Sequence, residues 1–172
     1  PLGVVAIITP WNFSLSVLVR KLIPALMAGN TVVTKPASLT PGAATLFTAW
    51  LYEAGLPSGV LNLVTGPGGE VGDSLVKDAR IRAVSFTGST EIGMHVQRQA
   101  AADLKRTQLE LGGKGPNIVF GDANIRAAIG GSAFAIFHNQ GQACIAGSRL
   151  ILHKSIADEF LEGFGKLARS IR

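Results

Sequence analysis

At 172 residues and 47% hydrophobic content, the chain is long and apolar enough to bury a core, which excludes a disordered protein. Its net charge is +5, but the basic residues are scattered and form no stripe interleaved with aromatic side chains, so we expect no nucleic-acid partner. A single cysteine excludes an intrachain disulfide, and no signal peptide or apolar run of ~20 residues is present, which favours a cytoplasmic protein with no membrane partner.

Short apolar runs alternate with longer helical patterns over the first hundred residues. We predict strands at residues 4–9, 31–34, 60–64 and 82–87, and helices at residues 13–28, 42–54, 70–77 and 89–102. Continuously apolar strands indicate burial on both faces. The predicted fold class is therefore α/β, with an open, mainly parallel Rossmann-like sheet and flanking helices. Ligands of such a sheet bind beyond the carboxyl ends of its strands.

The pattern changes after residue 104. We predict strands at residues 105–111, 117–120 and 149–153, and helices at residues 125–137 and 156–171. A glycine pair at 112–113 marks the domain boundary, so residues 1–112 form a first domain and residues 113–172 begin a second α/β domain. Because the chain opens on an apolar run without a methionine and ends inside a helical pattern, we expect a segment of a longer polypeptide.

Local signals fix several element ends. Gly29 and Asn30 are expected to end the first helix, because glycine and asparagine tolerate the left-handed conformation that follows a last turn. Thr40 and Pro41 are expected to start the second helix as cap and first turn.

One cysteine and one glutamate stand in settings that suggest a nucleophile and a base. Cys144 follows GQA at residues 141–143, and Glu110 precedes LGGK at residues 111–114. Glycines and small residues let the backbone turn tightly and approach a ligand closely. The alternatives are a small buried apolar residue for Cys144 and a solvated turn carboxylate for Glu110.

Five motifs in order give the chain a family resemblance. They are AIITPWNF at residues 6–13, GNTVVTKP at 29–36, FTGST at 86–90, ELGGK at 110–114 and GQAC at 141–144. Together they resemble the motif series of the aldehyde dehydrogenase superfamily, and they span nearly the whole chain. Gly115 stands where the family commonly has a small polar or acidic residue, and we expect that difference to alter the turn without changing the chemistry.

The resemblance implies three catalytic residues. Cys144 attacks an aldehyde, and the side chain of Asn12 and the backbone N–H of Cys144 stabilise the resulting oxyanion. Glu110 acts as the general base for thioester hydrolysis. From the residues alone, the favoured alternative for Asn12 is the N-cap of the helix that follows it. The implied boundary at residues 112–113 separates a cofactor domain from a catalytic domain.

Oxidation requires a hydride acceptor that no side chain supplies, so the resemblance implies NAD or NADP. The sequence GPGGEVG at residues 66–72 nearly matches a dinucleotide-binding glycine motif, but its last glycine is one position late. Instead, residues 88–90 follow a strand and open a helix, which suits pyrophosphate. The alternative for residues 88–90 is an ordinary capped turn. Lys35 matches a family lysine that hydrogen-bonds the adenosine ribose, and its alternative is a solvated lysine. The cofactor residues that the resemblance implies are Ile8, Thr9, Trp11, Lys35, Ser38, Gly66, Gly88, Ser89 and Leu111.

Ser38 bears on cofactor choice, because NAD-preferring members of the family often have glutamate there. A neutral serine removes the repulsion of a 2′-phosphate, so we expect NADP to be accepted.

Substrate residues implied by the resemblance are Phe13 and Arg20, on one helix face with Val17 and Lys21. Arg20 would bind the distal carboxylate of a semialdehyde; the alternative is a surface arginine.

The leading hypothesis is an enzyme that oxidises an aldehyde to a carboxylic acid with NAD(P), as a homodimer or homotetramer when full-length. The family's later Glu-x-Phe-Gly-Pro motif is missing, so we expect little activity from the segment by itself. The alternatives are a CoA-acylating or phosphorylating relative and a non-catalytic cofactor-binding relative. No metal site is expected, because His95, His138 and His153 lack ligand spacing.

Overall fold

The computed structural model describes residues 1–171, which divide into two compact units, Pro1–Leu111 and the residues from Gly112 onward. The first unit is a five-stranded parallel sheet with the strand order β3-β2-β1-β4-β5. Its strands are β1 (Val4–Ile8), β2 (Thr31–Lys35), β3 (Leu61–Leu63), β4 (Ile81–Thr87) and β5 (Arg106–Glu110). Its helices are α1 (Ser14–Met27), α2 (Pro41–Glu53), α3 (Asp73–Lys77) and α4 (Thr90–Ala101). The predicted α/β fold with a parallel sheet and flanking helices is confirmed.

The strands of this sheet carry apolar side chains to both faces, because successive residues of a strand point in opposite directions. One core joins Val5 and Ile7 of β1 to buried leucines of α1. The other joins Ala6 of β1 to residues of α3, β4 and α4. Helices therefore cover both faces of the sheet, as expected for parallel strands.

The second unit contains a two-stranded parallel sheet, β6 (Pro116–Val119) and β7 (Arg149–Leu152). Two helices follow these strands, α5 (Ile125–Phe137) and α6 (Ala157–Ser170), and a 3₁₀ turn at Lys154–Ile156 precedes α6. Its core is smaller and centres on Val119, Ile156 and Phe160. None of the helices within residues 1–171 is both long and apolar enough to cross a bilayer.

The ends of the elements agree with the local signals in part. Gly29 has φ +76° directly after α1 and its cap, as the sequence predicts. The side chain of Asn30 adds a connection, because it accepts hydrogen bonds from the N–H groups of Leu2 and Gly3. Thr40 holds the cap position of α2, but its buried hydroxyl has no partner among residues 1–171. The expected side-chain cap is therefore wrong, although Pro41 begins the helix as predicted.

Candidate active site

Three strands of the first unit bring candidate residues to one edge of the sheet. Asn12 follows the carboxyl end of β1, Gly88 and Ser89 follow β4, and Glu110 ends β5. These strands are adjacent and parallel, and β1 also pairs with β2 on its other side. The connection after β1 leads to β2 on one side, whereas the connection after β3 crosses to β4 on the other side of β1. This change of direction creates the crevice where open α/β sheets bind ligands. Strand spacing places the ends of β1 and β5 about 10 Å apart.

Two buried hydroxyl groups at this edge have no hydrogen-bond partner among the residues that the structure describes. Thr9 follows β1 and Thr87 ends β4, one residue beyond the paired Ile8 and Phe86. Neither hydroxyl oxygen makes a hydrogen bond within residues 1–171. A buried polar group without a partner is costly in a protein, so these hydroxyls fit a ligand that completes their hydrogen bonds. The sequence prediction included Thr9 but missed Thr87, although both end apolar strands.

The turn after β4 presents the start of a twelve-residue helix. The Ser89 hydroxyl caps α4 by accepting a hydrogen bond from the Ile92 N–H at 3.3 Å. The Gly88 N–H donates to the carbonyl oxygen of Glu110 at 3.1 Å. A Cβ at Gly88 would lie 2.5 Å from Cζ of Phe86, so a larger residue there would require the Phe86 ring to move. The capped turn is thus real, and the positive end of the α4 dipole is compatible with an anion there.

Lys35 is the last residue of β2 and Ser38 comes three residues later, at the same edge of the sheet. Lys35 is buried and donates to the Pro36 carbonyl oxygen at 3.1 Å, so the alternative of a solvated lysine is wrong. Burial lowers the pKa of its ammonium group, since the charged form is desolvated. Exposed Ser38 donates to the carbonyl oxygen of Gly66 at 2.8 Å. Gly66 has φ +144°, and a Cβ there would lie 2.5 Å from Cγ2 of Val71.

The remaining first-unit candidates differ in exposure. Ile8 and Leu111 are half-buried against the α3–α4 core, and Leu111 fills the space beside Gly93 of α4. Trp11 is exposed. Phe13, not Asn12, holds the cap position of α1 and makes no side-chain cap hydrogen bond, so the alternative of Asn12 as N-cap is wrong.

Glu110 is exposed at the end of β5 and belongs to a polar cluster. Its Oε1 accepts a hydrogen bond from Nε2 of Gln108 at 3.0 Å. Nζ of Lys21 donates to Oε1 of Gln108 at 2.8 Å and to Oγ of Ser85 at 2.7 Å. Arg20, next to Lys21 on α1, is exposed. The sequence prediction missed Gln108, whose signal was its period-two spacing from Glu110 on a strand.

Cys144 lies in the second unit, on a turn from Ala143 to Ala146 closed by an Ala146 N–H to Ala143 C=O hydrogen bond of 3.1 Å. Its side chain is exposed, so the alternative of a buried apolar cysteine is wrong. Its backbone N–H has no acceptor within residues 1–171. This leaves both the thiol and a backbone donor accessible to a ligand.

The backbone just before Cys144 is unusual. Asn139, Gln140 and Gly141 have φ values of +52°, +60° and +73°. Left-handed conformations cost non-glycine residues about 1 kcal/mol or more each, and such strain is concentrated at functional sites. This backbone is compatible with a site at Cys144. In the sequence, only Gly141 indicated a left-handed conformation in this loop.

The structure thus brings Asn12, Ser89 and Glu110 to the carboxyl edge of one sheet, whereas Arg20 lies in the middle of α1. The placement of Cys144 beside Asn12 and Glu110 stays a prediction. Among residues 1–171, no group of three or more His, Cys, Asp or Glu side chains could hold a metal ion.

Comparison with known proteins agrees with the motif series. The model of the aldehyde dehydrogenase family matches residues 1–172. D-glyceraldehyde dehydrogenase (NADP(+)) of Picrophilus torridus is 44% identical over 172 residues, which are 100% of this chain and 35% of that protein. Succinate-semialdehyde dehydrogenase (NADP(+)) GabD of Escherichia coli is 47% identical over 162 residues, which are 94% of this chain and 34% of that protein.

A solved structure agrees as well. The crystal structure of PnpE in complex with nicotinamide adenine dinucleotide is 56% identical, with a TM-score of 0.96 over 100% of this chain and 35% of that one. The chain therefore spans about a third of the length of the relatives that it matches. Since the family model and these relatives cover essentially every residue of the chain, it belongs to the aldehyde dehydrogenase family.

Proposed function

We propose that a polypeptide of the relatives' length carrying this chain, hereafter the full-length enzyme, oxidises an aldehyde to a carboxylic acid with NAD or NADP. The observation that carries this proposal is the convergence of Asn12, Ser89 and Glu110 on one sheet edge. The first unit is then the cofactor domain, and the second begins the catalytic domain with Cys144.

The cofactor edge is formed by residues that follow β1, β2 and β4. The unpartnered hydroxyls of Thr9 and Thr87 support hydrogen bonding to a ligand in the crevice. The α4 N-terminus at Gly88 and Ser89 suits pyrophosphate, and Lys35 would donate to a ribose hydroxyl. The remaining contacts are assigned to Ile8, Trp11, Ser38, Gly66 and Leu111. When bound, the nicotinamide supplies the acceptor for a hydride, which no side chain provides.

Cys144 is the nucleophile in this proposal. Its thiolate sulfur forms a bond to the aldehyde carbon, and the carbonyl oxygen takes the negative charge to give a thiohemiacetal. The side-chain amide of Asn12 and the free N–H of Cys144 would donate hydrogen bonds to that oxygen. Loss of one such donor typically lowers turnover by about 10²- to 10³-fold.

Glu110 is the general base for the second half of the reaction. Its exposed carboxylate removes a proton from water, and the water oxygen attacks the thioester carbon. The carbon–sulfur bond then breaks, which releases the carboxylic acid and returns the proton to the Cys144 sulfur. This intact carboxylate favours hydrolysis over transfer of the acyl group to CoA or phosphate.

Ser38 supports use of NADP. Its hydroxyl is neutral and exposed, and its bond to Gly66 ties the loop after β2 to the loop after β3. We expect turnover with NADP at least equal to that with NAD, and Ser38→Glu to shift the preference toward NAD. Strict use of NAD by the unmodified enzyme would contradict this assignment.

A semialdehyde is the substrate class that Arg20 supports. Its exposed guanidinium on α1 could bind a distal carboxylate with two hydrogen bonds, and Phe13 at the start of the same helix would line the tunnel. Arg20→Leu should raise KM for succinate semialdehyde much more than KM for hexanal. Equal effects on both aldehydes would remove Arg20 from the substrate site.

The central experiment measures NAD(P)H formation by the full-length enzyme and its Cys144→Ser variant with a panel of aldehydes. We expect turnover only with the cysteine, and no acceleration by CoA or phosphate. Light scattering after gel filtration should give a homodimer or homotetramer, and cell fractionation should place the enzyme in the cytoplasm. Cofactor binding without turnover on any aldehyde would favour a non-catalytic relative.

A further inference from the structure

The polar cluster beside Glu110 is built from three elements of the first unit. Lys21 reaches from α1 toward the sheet, where its Nζ contacts Ser85 on β4 and Gln108 on β5. Ser85 and Gln108 are register partners in the parallel pair β4–β5, and the Ser85 hydroxyl also donates to Oε1 of Gln108. Gln108 and Glu110 lie on the same face of β5, two residues apart.

The amide of Gln108 has one favourable orientation in this cluster. An ammonium group has three donors and no acceptor, so the amide oxygen must face Lys21. The Ser85 hydroxyl donates to the same oxygen. The amide NH₂ is thereby directed away from Lys21, and it donates to Glu110 at 3.0 Å. The two ends of Gln108 thus connect a cation to a carboxylate.

The charge of Lys21 is the part of this arrangement that responds to pH. Burial lowers the pKa of its ammonium to about 8, although the negative charge of Glu110 opposes that shift. Glu110 on β5 is the charged group that faces Lys21 from the strands packed against it, and β4 contributes the neutral Ser85. Once Lys21 is neutral, its nitrogen can accept a hydrogen bond, so the amide of Gln108 is free to turn over.

We propose that Gln108 is a positioning residue that holds the Glu110 carboxylate in one orientation for thioester hydrolysis, with Lys21 and Ser85 fixing its amide. This inference rests on the proposed function, in which Glu110 activates water. It assigns to Gln108 a role that the sequence did not suggest, because the contact with Lys21 joins residues 87 positions apart. The expected consequence is confined to the step that uses Glu110.

The test is pre-steady-state kinetics of the full-length enzyme with Gln108→Met. Methionine keeps the length of the side chain but removes the donor, and Gln108 is exposed, so the core stays intact. We expect a burst of NAD(P)H equal to the active sites, followed by steady-state turnover about 10- to 100-fold slower, as small misplacements of reacting groups produce. Gln108→Glu should be slower still, because a second carboxylate repels Glu110.

A matched control is Gln97→Leu on α4. Oε1 of Gln97 accepts a hydrogen bond from Thr107 of β5 at 2.5 Å, away from the Lys21 cluster. We expect the control to keep both the burst and the steady-state rate. In the unmodified enzyme, hydrolysis should decline above about pH 8 as Lys21 loses its proton, and Gln108→Met should lack that decline.

Crystal structures of the full-length enzyme and its Gln108→Met variant give a readout that does not depend on activity. We expect one carboxylate orientation for Glu110 with glutamine and a different or divided one with methionine. An unchanged Glu110 overturns the inference even if no aldehyde is turned over. If the enzyme is active and Glu110→Gln stops it after the burst, but Gln108→Met has no effect on the slow step, the inference alone fails. No turnover by the unmodified enzyme counts against the proposed function.

Discussion

The two units differ in how completely their sheets are covered. In the first unit, the central strands β1 and β4 are buried between helices on both faces. In the second unit, β6 and β7 alternate between covered and open residues, and the register partners Ile118 and Ile151 are 55% and 52% exposed. Parallel sheets rarely leave a face open. The first unit thus closes its cores with its own helices, while the second does not within residues 1–171.

The units also divide the chemistry. The first presents groups held by strand ends and a helix start, such as Glu110 and Ser89. The second presents Cys144 on an exposed turn beside left-handed residues. Under the proposed function, a rigid edge would suit a cofactor and a base that must keep their positions, whereas a loop would bring the nucleophile to the substrate. The following predictions test whether the units are as distinct as this comparison holds.

The largest expected effect is on the small core of the second unit. Phe160 is fully buried and stacks on Phe164 with ring centroids 6.0 Å apart. Phe160→Ala in the full-length enzyme should cost about 3–5 kcal/mol, because it removes the centre of that core. Hydrogen exchange should rise in α5 and α6 but stay low in β1 and β4. The control is Leu161→Ala, which should change the free energy of unfolding little because Leu161 is exposed. Equal loss of exchange protection in both units would contradict the view that each unit has its own core.

The corresponding core substitution in the first unit is Leu22→Ala. Leu22 of α1 is fully buried against β1, so Leu22→Ala should cost about 2–5 kcal/mol. Met27→Ala on the same helix should be nearly neutral, because Met27 is exposed. Urea titration followed by hydrogen exchange should show that β1 and β2 lose protection first. Early loss of protection in α6 would contradict the assignment of Leu22 to a core of its own unit.

Removal of a helix cap in each unit should have a smaller effect on the free energy of unfolding than the core substitutions. Ser89 caps α4 in the first unit, and Asn124 caps α5 in the second by accepting from the Ala127 N–H at 3.0 Å. Replacement of either by alanine should cost about 1 kcal/mol. Only Ser89→Ala should also weaken binding of NADPH, because only α4 starts at the proposed cofactor edge. The fluorescence of NADPH measures this binding. Equal weakening by Asn124→Ala would show that the effect is not local.

Sequence reasoning succeeded where a short-range rule decides the structure. The end of α1 at Gly29 followed from a left-handed requirement, and the end of β5 was predicted to within one residue from the glycine pair at 112–113 that follows it. It failed where contacts between residues far apart in the sequence determine the structure. Gln108 acquires its role from Lys21 on another element, and the unpartnered hydroxyl at Thr40 depends on how α2 sits in the fold. The left-handed Asn139 is permitted by its sequence but not required by it.

The smallest effect concerns a surface carboxylate of the first unit. Burial of Asp73 raises its pKa, but hydrogen bonds from Gln99 and His95, together with the charges of His95 and Lys77, outweigh burial and lower the pKa below its usual 3.8. Nε2 of His95 lies 3.0 Å from Oδ1 of Asp73, so the contacts join α3 to α4. Because the folded pKa is the lower one, Asp73 stabilises the fold above about pH 3.8 and loses this contribution as pH falls through its native pKa.

The second unit has a more exposed counterpart. Lys166 donates to Glu162 on α6 and lowers the pKa of that carboxyl, but both side chains are mostly in solvent. We expect Asp73→Asn to lower the free energy of unfolding at pH 7, and the difference from the unmodified protein to shrink as pH falls below about 3.8 and Asp73 takes up its proton. Glu162→Gln should have a smaller effect at every pH, because solvent screens an exposed pair. Urea titrations across this pH range measure both, and a larger effect at Glu162 would mean that the contact between α3 and α4 contributes nothing beyond a surface ion pair.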